Sequence, residues 1–259
     1  MIDIHNHILP GIDDGAQNLT ISRQMARMAQ DTGIKDIIAT PHVIRGIFDN
    51  SRERILQGVK DLKQNLQENN IAINLWPGAE YHLEPDLVER LHRQELMTLN
   101  DTGRYLLVEL PQTMVPDYTA ELFFELQIAG VRPVIAHPER NQRLMENGAL
   151  LEVISSCNAV LQLTAASLTG LFGSKVQKNA WALINEPYTV VTASDAHSTH
   201  GRAPRLGEAY LEIRSRLGQE TAQLLCFENP ERIVRGEAVK PCPRAQPSIW
   251  QRLKQGIQA

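Results

Sequence analysis

Ile2-Asp3-Ile4-His5-Asn6-His7 governs how the rest of the chain is read. A short apolar run of strand length ends on two histidines spaced two apart. In extended backbone such side chains point the same way, so both imidazoles can grip one ion. Candidate strands recur at Asp36–Thr40, Ile73–Pro77, Tyr105–Leu110, Arg132–Ala136, Ala159–Leu163 and Thr189–Ala193. Helical patterns lie between them, at Leu19–Thr32, Arg52–Asn69, Pro85–Gln94, Tyr118–Ala129, Gln142–Ser155 and Gly173–Asn185. In the first, Asn18 can cap the start, Ile21, Met25 and Met28 share a face, and Gly33 can close the end. Near-continuous apolar strands joined by helical crossovers imply an α/β protein whose parallel sheet is buried on both faces. A closed or nearly closed barrel is preferred over an open sheet.

In such a barrel the strand ends meet on one face, where active sites are built. Polar residues stand at those ends: His5 and His7 after the first strand, His42 after the second, Glu80 after the third, Glu109 at the fourth, His137 after the fifth, and Asp195 with His197 after the seventh. Asp14, in the turn Gly11-Ile12-Asp13-Asp14-Gly15, is close enough in sequence to reach the same mouth. A lone strand-end histidine is more often capped or solvated than a ligand, and His82, His92 and His200 are left in that class. Five of the eight histidines at strand ends, beside four carboxylates, is a stronger pattern. Converging carboxylates repel one another unless cations offset them. Mixed nitrogen and oxygen donors without thiolate suit Mn²⁺, Fe or Zn²⁺. Nine ligands are too many for one ion, and about three divalent ions against four carboxylates leave a site near +2 that favours a phosphate dianion. Arg140 and Arg202 follow the fifth and seventh strands closely, and a guanidinium fork matches phosphate oxygens.

The remaining features narrow the function class. A formal net charge of −4 gives no general attraction to nucleic acid. Cys157, Cys226 and Cys242 are odd in number and fit no zinc spacing, so a reducing compartment is expected. No signal peptide or integral membrane segment is read, and the expected location is the cytoplasm. Cys226 to Arg232 has the Cys-x₅-Arg spacing of thiol phosphatases, but Glu228, Pro230 and Glu231 spoil the loop for an anion, so Cys226 is read as a helix core residue within a helical stretch over Arg205–Arg235. The domain division expected is 1–236 for the catalytic unit and 237–259 for a proline-containing basic tail. That tail has an extended linker over Val239–Pro247 and a short helix over Ser248–Ala259. Lys240, Arg244, Arg252 and Lys254 without an acidic residue after Glu237 could aid peripheral recruitment to a membrane-associated or acidic partner.

Taken together, Ile-His-Asn-His through Asp-Asp-Gly15, Ala-Thr-Pro-His42, Gly-Ala-Glu80, Leu-Val-Glu109, Val-Ile-Ala-His-Pro-Glu-Arg140 and Ala-Ser-Asp-Ala-His197 resemble the PHP superfamily of polymerase-associated domains and histidinol phosphatases. They are most similar to its branch of bacterial manganese-dependent protein-tyrosine phosphatases of the CpsB and YwqE type, in family order from residue 1 to about 236. The resemblance implies a distorted seven-stranded (β/α)7 TIM-like barrel with three divalent ions, Mn²⁺ first. It implies that His5, His7, Glu80 and Asp195 hold one ion, that Glu80 bridges to a second held with Glu109 and His137, and that Asp14, His42 and His197 hold the third. Arg140 and Arg202 fall on phosphate-binding positions. The implied reaction is attack on phosphotyrosine by hydroxide held between two ions, the implied substrate an autophosphorylated bacterial tyrosine kinase of capsule or exopolysaccharide synthesis. Histidinol phosphatase or another small-molecule phosphomonoesterase of the superfamily is the alternative. A nuclease and a non-enzymatic metal-bound module rank below it.

Overall fold

The computed structural model describes residues 1–242; the helix expected over 248–259, the linker beyond Cys242 and three of the basic tail residues, Arg244, Arg252 and Lys254, lie outside the described residues. In chain order the strands are β1 (Ile2–Asn6), β2 (Asp36–Ala39), β3 (His42–Val43), β4 (Asn74–Pro77), β5 (Glu80–His82), β6 (Tyr105–Glu109), β7 (Arg132–Ala136), β8 (Val160–Thr164) and β9 (Thr189–Ala193). They form two sheets, β1-β2-β4 and β3-β5-β6-β7-β8-β9. Every ladder is parallel, as helical crossovers require.

Two local breaks divide the ladders. β2 and β3 are separated by Thr40 and Pro41, and a proline has no N–H to give a sheet. β4 and β5 are separated at Gly78, where the chain passes so close to Ile38 that a Cβ would lie 2.6 Å from its Cγ2. β1 meets the end of β9 without a regular ladder. Asn6 and Ala196 form an isolated parallel bridge. The Asp195 N–H donates to the His5 carbonyl at 2.8 Å, and the His7 N–H to the Ala196 carbonyl at 2.9 Å. Asp3, fully buried, accepts at Oδ1 from the Ser194 N–H at 2.8 Å and at Oδ2 from the Ser194 hydroxyl at 2.5 Å.

Successive strand residues face opposite sides. Ile37, Leu106, Ile135, Leu161 and Val190 pack in the large core shared with the helices. Ile38, Leu107, Val134, Val160 and Val191 turn to a second, inner core with Ile4. Two buried faces explain why the strands read as continuous apolar runs. The inner core is closed at the first residues of the strands by Ile233 and Val239. There the Tyr105 hydroxyl donates to the Glu237 carbonyl at 2.5 Å and accepts from the Val239 N–H at 3.3 Å.

Among the helices, α1 (Leu19–Asp31) is capped as its sequence implies: Asn18 Oδ1 accepts from the Ile21 N–H at 3.1 Å, and Gly33 leaves the helix at φ +87°. Its buried face is Ser22, Met25, Ala26 and Ala29, with Ile21 and Met28 half-buried at the side. Met25 of the expected Ile21–Met25–Met28 stripe is fully buried and Ile21 packs against the core, with Ser22, Ala26 and Ala29 completing the buried face. The helix expected over 142–155 is two, Gln142–Glu146 and Gly148–Ser156, parted at Asn147 beside a glycine. The stretch expected over 205–235 breaks at Gly218, φ +91°, and resumes as a run whose Leu224–Glu228 portion is π-helical. No helix among the described residues is long and apolar enough to cross a membrane.

Candidate metal centre

All nine ligand candidates stand where a strand, or the turn after it, opens at one end. β1 delivers His5, and the bridge to Ala196 sets His7 beside it. The two breaks in the sheets serve the same end. β3 begins on His42 and β5 on Glu80, which are paired in register, so each interruption restarts a strand on a ligand candidate. β6 ends on Glu109. His137 and Asp195 follow β7 and β9 in left-handed backbone, at φ +35° and +51°, a strained state for residues with a Cβ that concentrates at functional sites. Asp14 is carried by a turn that only glycine permits, since a Cβ on Gly15 would lie 2.2 Å from the His7 carbonyl oxygen.

The donor atoms converge in three overlapping groups, His5–His7–Glu80, His7–Asp14–His42–His197 and His42–Glu80–Glu109, with Asp195 and His137 beside them. His5 Nε2 is 3.1 Å from His7 Nε2, 3.2 Å from Glu80 Oε2 and 3.4 Å from Asp195 Oδ1. Asp14 Oδ1 lies 3.5 Å from His42 Nε2 and 3.4 Å from His197 Nε2, and His7 joins this group. His137 Nε2 lies 3.2 Å from Glu80 Oε1 and 3.6 Å from Glu109 Oε1. His42 also turns Nδ1 toward Glu80 Oε2, at 3.0 Å, and toward Glu109 Oε2, at 3.8 Å. It therefore sits between two groups, where the resemblance assigned it to one. His82, His92 and His200 enter no such group among the described residues.

The buried donors fit cations better than they fit one another. His42 Nδ1, Glu80 Oε2 and His197 Nε2 are buried without a well-directed hydrogen-bond partner, although each has a ligand candidate within 3.5 Å. Burial pushes the His5 and His42 imidazoles down, but the carboxylates around them, Glu80 above all, outweigh it and hold both up at about 9. Burial pushes the Glu80 carboxyl up, yet the His5 and His42 charges bring it well below the usual range. Burial and the His7 charge press His197 down to about 4. Cations stand to displace the protons that balance these carboxylates.

Two residues around the cluster and one backbone carbonyl within it orient the rings. Gln162 Oε1 accepts from His5 Nδ1 at 2.7 Å, Asp13 Oδ2 accepts from His7 Nδ1 at 2.7 Å, and the Asp195 carbonyl accepts from His197 Nδ1 at 3.1 Å. Each contact places the proton on Nδ1 and frees Nε2 for an ion. Asp13 also accepts from the His42 N–H at 3.0 Å, tying the Asp13–Asp14 turn to β3. Sequence reasoning missed Asp13 and Gln162. Gln162 did carry a signal, a polar residue inside the apolar run Val160–Thr164 that needs a buried partner.

Arg140 and Arg202 both reach the mouth, and both lean on Asp195. Arg140 Nη2 lies 2.6 Å from Asp195 Oδ2 and donates to Thr164 Oγ1 at 2.8 Å. Arg202 Nη2 donates to both Asp195 oxygens, at 2.7 and 2.8 Å. Burial pushes the Asp195 carboxyl up, but Arg140, His5 and Arg202 hold it well below the usual range. The two arginines line a 510 Å³ cavity with Asp14, His42, Glu109 and His137. Cys226 is fully buried in the large hydrophobic core, and burial pushes its thiol up to about 12.

With this geometry in place, similarity to known proteins is informative. Residues 1–235 match the family model for capsular polysaccharide synthesis proteins CpsB/CapC. The tyrosine-protein phosphatase YwqE of Bacillus subtilis is 37% identical over 239 residues, 92% of this chain and 93% of YwqE. The tyrosine-protein phosphatase CpsB of Streptococcus pneumoniae is 28% identical, over 92% of this chain and all of CpsB. A solved structure from the work on YwqE and CpsB, described as unique metal-dependent tyrosine phosphatases, superposes with a TM-score of 0.90 at 37% identity, covering 95% of this chain and 99% of its own. By sequence along nearly its whole described length and by fold, the chain belongs to the CpsB/CapC family.

Proposed function

We propose that this protein is a metal-dependent protein-tyrosine phosphatase. The observation that carries the reading is the convergence of buried imidazole and carboxylate donors at one mouth, with three of their atoms lacking a directed partner. Family membership supports the same activity, since the relatives above are named tyrosine-protein phosphatases. The proposed ligands are His5, His7, Asp14, His42, Glu80, Glu109, His137, Asp195 and His197, for three divalent ions with Mn²⁺ first. The two sheets are read as one distorted seven-stranded barrel, counting β2 with β3 and β4 with β5 as interrupted strands and closing through Asn6 and Ala196.

Divalent ions at such a site lower the pKa of bound water to about 7, supply hydroxide at neutral pH and offset charge on phosphoryl oxygens. The chain's own residues do the rest. Gln162, Asp13 and the Asp195 carbonyl keep the ring protons of His5, His7 and His197 on Nδ1. Arg140 and Arg202 line the cavity, where guanidinium charge can meet phosphate oxygens in charge-assisted bonds. Among the described residues lining the cavity, the titratable ones are Asp14, His42, Glu109, His137 and the two arginines. All are claimed by ligation or by phosphate, which leaves no separate acid for the departing oxygen. A phenol, with a pKa near 10, needs less protonation than an alkoxide. The site therefore favours an aryl phosphate over histidinol phosphate.

The proposed substrate is a phosphotyrosine protein, a bacterial tyrosine kinase of capsule or exopolysaccharide synthesis, met in the cytoplasm. Residues 1–236 are read as the catalytic unit and 237–259 as an appended segment that could aid recruitment. The test is a substrate panel with Mn²⁺-loaded protein: phosphotyrosine peptide, histidinol phosphate and single-stranded DNA. The phosphotyrosine peptide should give the highest kcat/KM by a wide margin. Faster turnover of histidinol phosphate or DNA would overturn the reading.

A further inference from the structure

The cavity lining holds one benzene ring among its described residues, that of Phe172, set with Leu110 and Val176 amid the charged groups. Phe172 lies in the turn between the helices Ala165–Leu168 and Ser174–Asn185. That turn is tightly specified. Gly170 and Gly173 adopt φ +86° and +89°, the Leu171 N–H donates to the Ala166 carbonyl at 2.9 Å, and the Gly173 N–H donates to the Gly170 carbonyl at 3.0 Å. Gln177 Nε2 donates back to the Leu168 carbonyl at 2.9 Å. The ring is then pinned by Arg140, whose guanidinium carbon stands 4.3 Å from the ring centroid. Arg140 is itself fixed by Asp195 and by Thr164, whose N–H is held by buried Glu139 at 3.0 Å. A charged anchor thus orients an apolar ring that is only half-buried and borders the cavity.

We propose that Phe172 is a specificity-determining residue, whose ring forms the wall against which the aryl group of a phosphate monoester packs. The inference rests on the phosphatase reading above. A phosphate seated on Arg140 carries its ester substituent next to the ring that Arg140 stacks on. An aryl group joined directly to the ester oxygen brings a flat face to that wall, whereas a short alkyl chain brings none. Aromatic pairs add a preference of roughly three- to tenfold beyond simple area burial. The phosphate is read by charge and the leaving group by Phe172.

The test uses calorimetric titration of the full-length, Mn²⁺-loaded protein with phenylphosphonate, methylphosphonate and inorganic phosphate, for wild type and for Phe172→Ala, Phe172→Leu and Phe172→Tyr. Phe172→Leu and Phe172→Ala should weaken phenylphosphonate by about three- to tenfold. They should leave methylphosphonate and inorganic phosphate within about twofold, a change too small to count as loss of an aromatic contact. Phe172→Tyr should restore phenylphosphonate binding. With phosphotyrosine peptide, the same loss should fall on KM rather than kcat. Equal weakening of all three ligands would assign Phe172 to propping Arg140 alone and overturn the proposal, as would binding by Phe172→Leu that matches wild type throughout. The readout is binding, so it stands apart from the phosphatase reading, whose failure would show as wild-type protein that does not hydrolyse phosphotyrosine peptide.

Discussion

The inner face of one set of strands ends in two different chemistries. At the first residues, Tyr105 meets Ile233, Val239 and the Glu237 carbonyl in an apolar plug. At the other end, Glu109, His137 and Asp195 gather with His42, Glu80 and His197, whose buried ligand atoms lack a directed partner, and His137 and Asp195 take left-handed backbone. The plug satisfies what it buries, and the mouth does not. The same sheet therefore divides its labour, with stability placed at one end and unsatisfied chemistry at the other.

The sharpest way to break that division is at the mouth. His42→Ala removes the side chain that touches Asp14, Glu80 and Glu109. Turnover of phosphotyrosine peptide should fall by several orders of magnitude with little change in circular dichroism. Wild-type turnover in that variant would remove His42 from the centre. The converse substitution, Ile233→Ala, hollows the fully buried plug. It should cost about 2–5 kcal/mol in denaturant unfolding, with kcat of the folded protein unchanged. A large kcat loss with intact stability would mean that the two ends are coupled. A smaller effect is expected one layer out from the ligands. Gln162→Leu leaves His5 Nδ1 without its acceptor, and should weaken Mn²⁺ affinity or activity about 10- to 100-fold.

The same contrast governs how far the sequence could be read. The seven apolar runs show plainly because both strand faces are buried, and hydrophobic patterning reports burial. The nine ligand candidates stand out because polar residues at the ends of such runs are conspicuous. β3 and β5 escaped notice because they span only His42–Val43 and Glu80–His82, too short for any periodicity and opened by the polar residues themselves. Asp13 escaped because its neighbour Asp14 offered an equally good carboxylate, and only the 2.7 Å contact to His7 separates their positions. The reading of Arg140 as a phosphate partner could not foresee Asp195, because a salt bridge between residues so distant in the chain has no local pattern. Cys226, by contrast, was legible from composition alone: acidic residues and a proline beside it argued for a core thiol, and the structure buries it in a π-helical turn.

That thiol supplies the most direct measurement of the central claim, that the metal mouth is the catalytic site. A thiol phosphatase needs an ionised cysteine and no metal, whereas a metal-dependent one loses its nucleophile with its ions. Burial holds Cys226 at about 12, so it stays protonated at neutral pH. The measurement is phosphotyrosine peptide turnover by wild type and Cys226→Ser, before and after exhaustive chelation and after Mn²⁺ is returned. The expected result is near-wild-type activity in Cys226→Ser, loss of turnover in both proteins on chelation, and recovery with Mn²⁺. Turnover that survives chelation, together with a folded, metal-loaded and inactive Cys226→Ser, would contradict it.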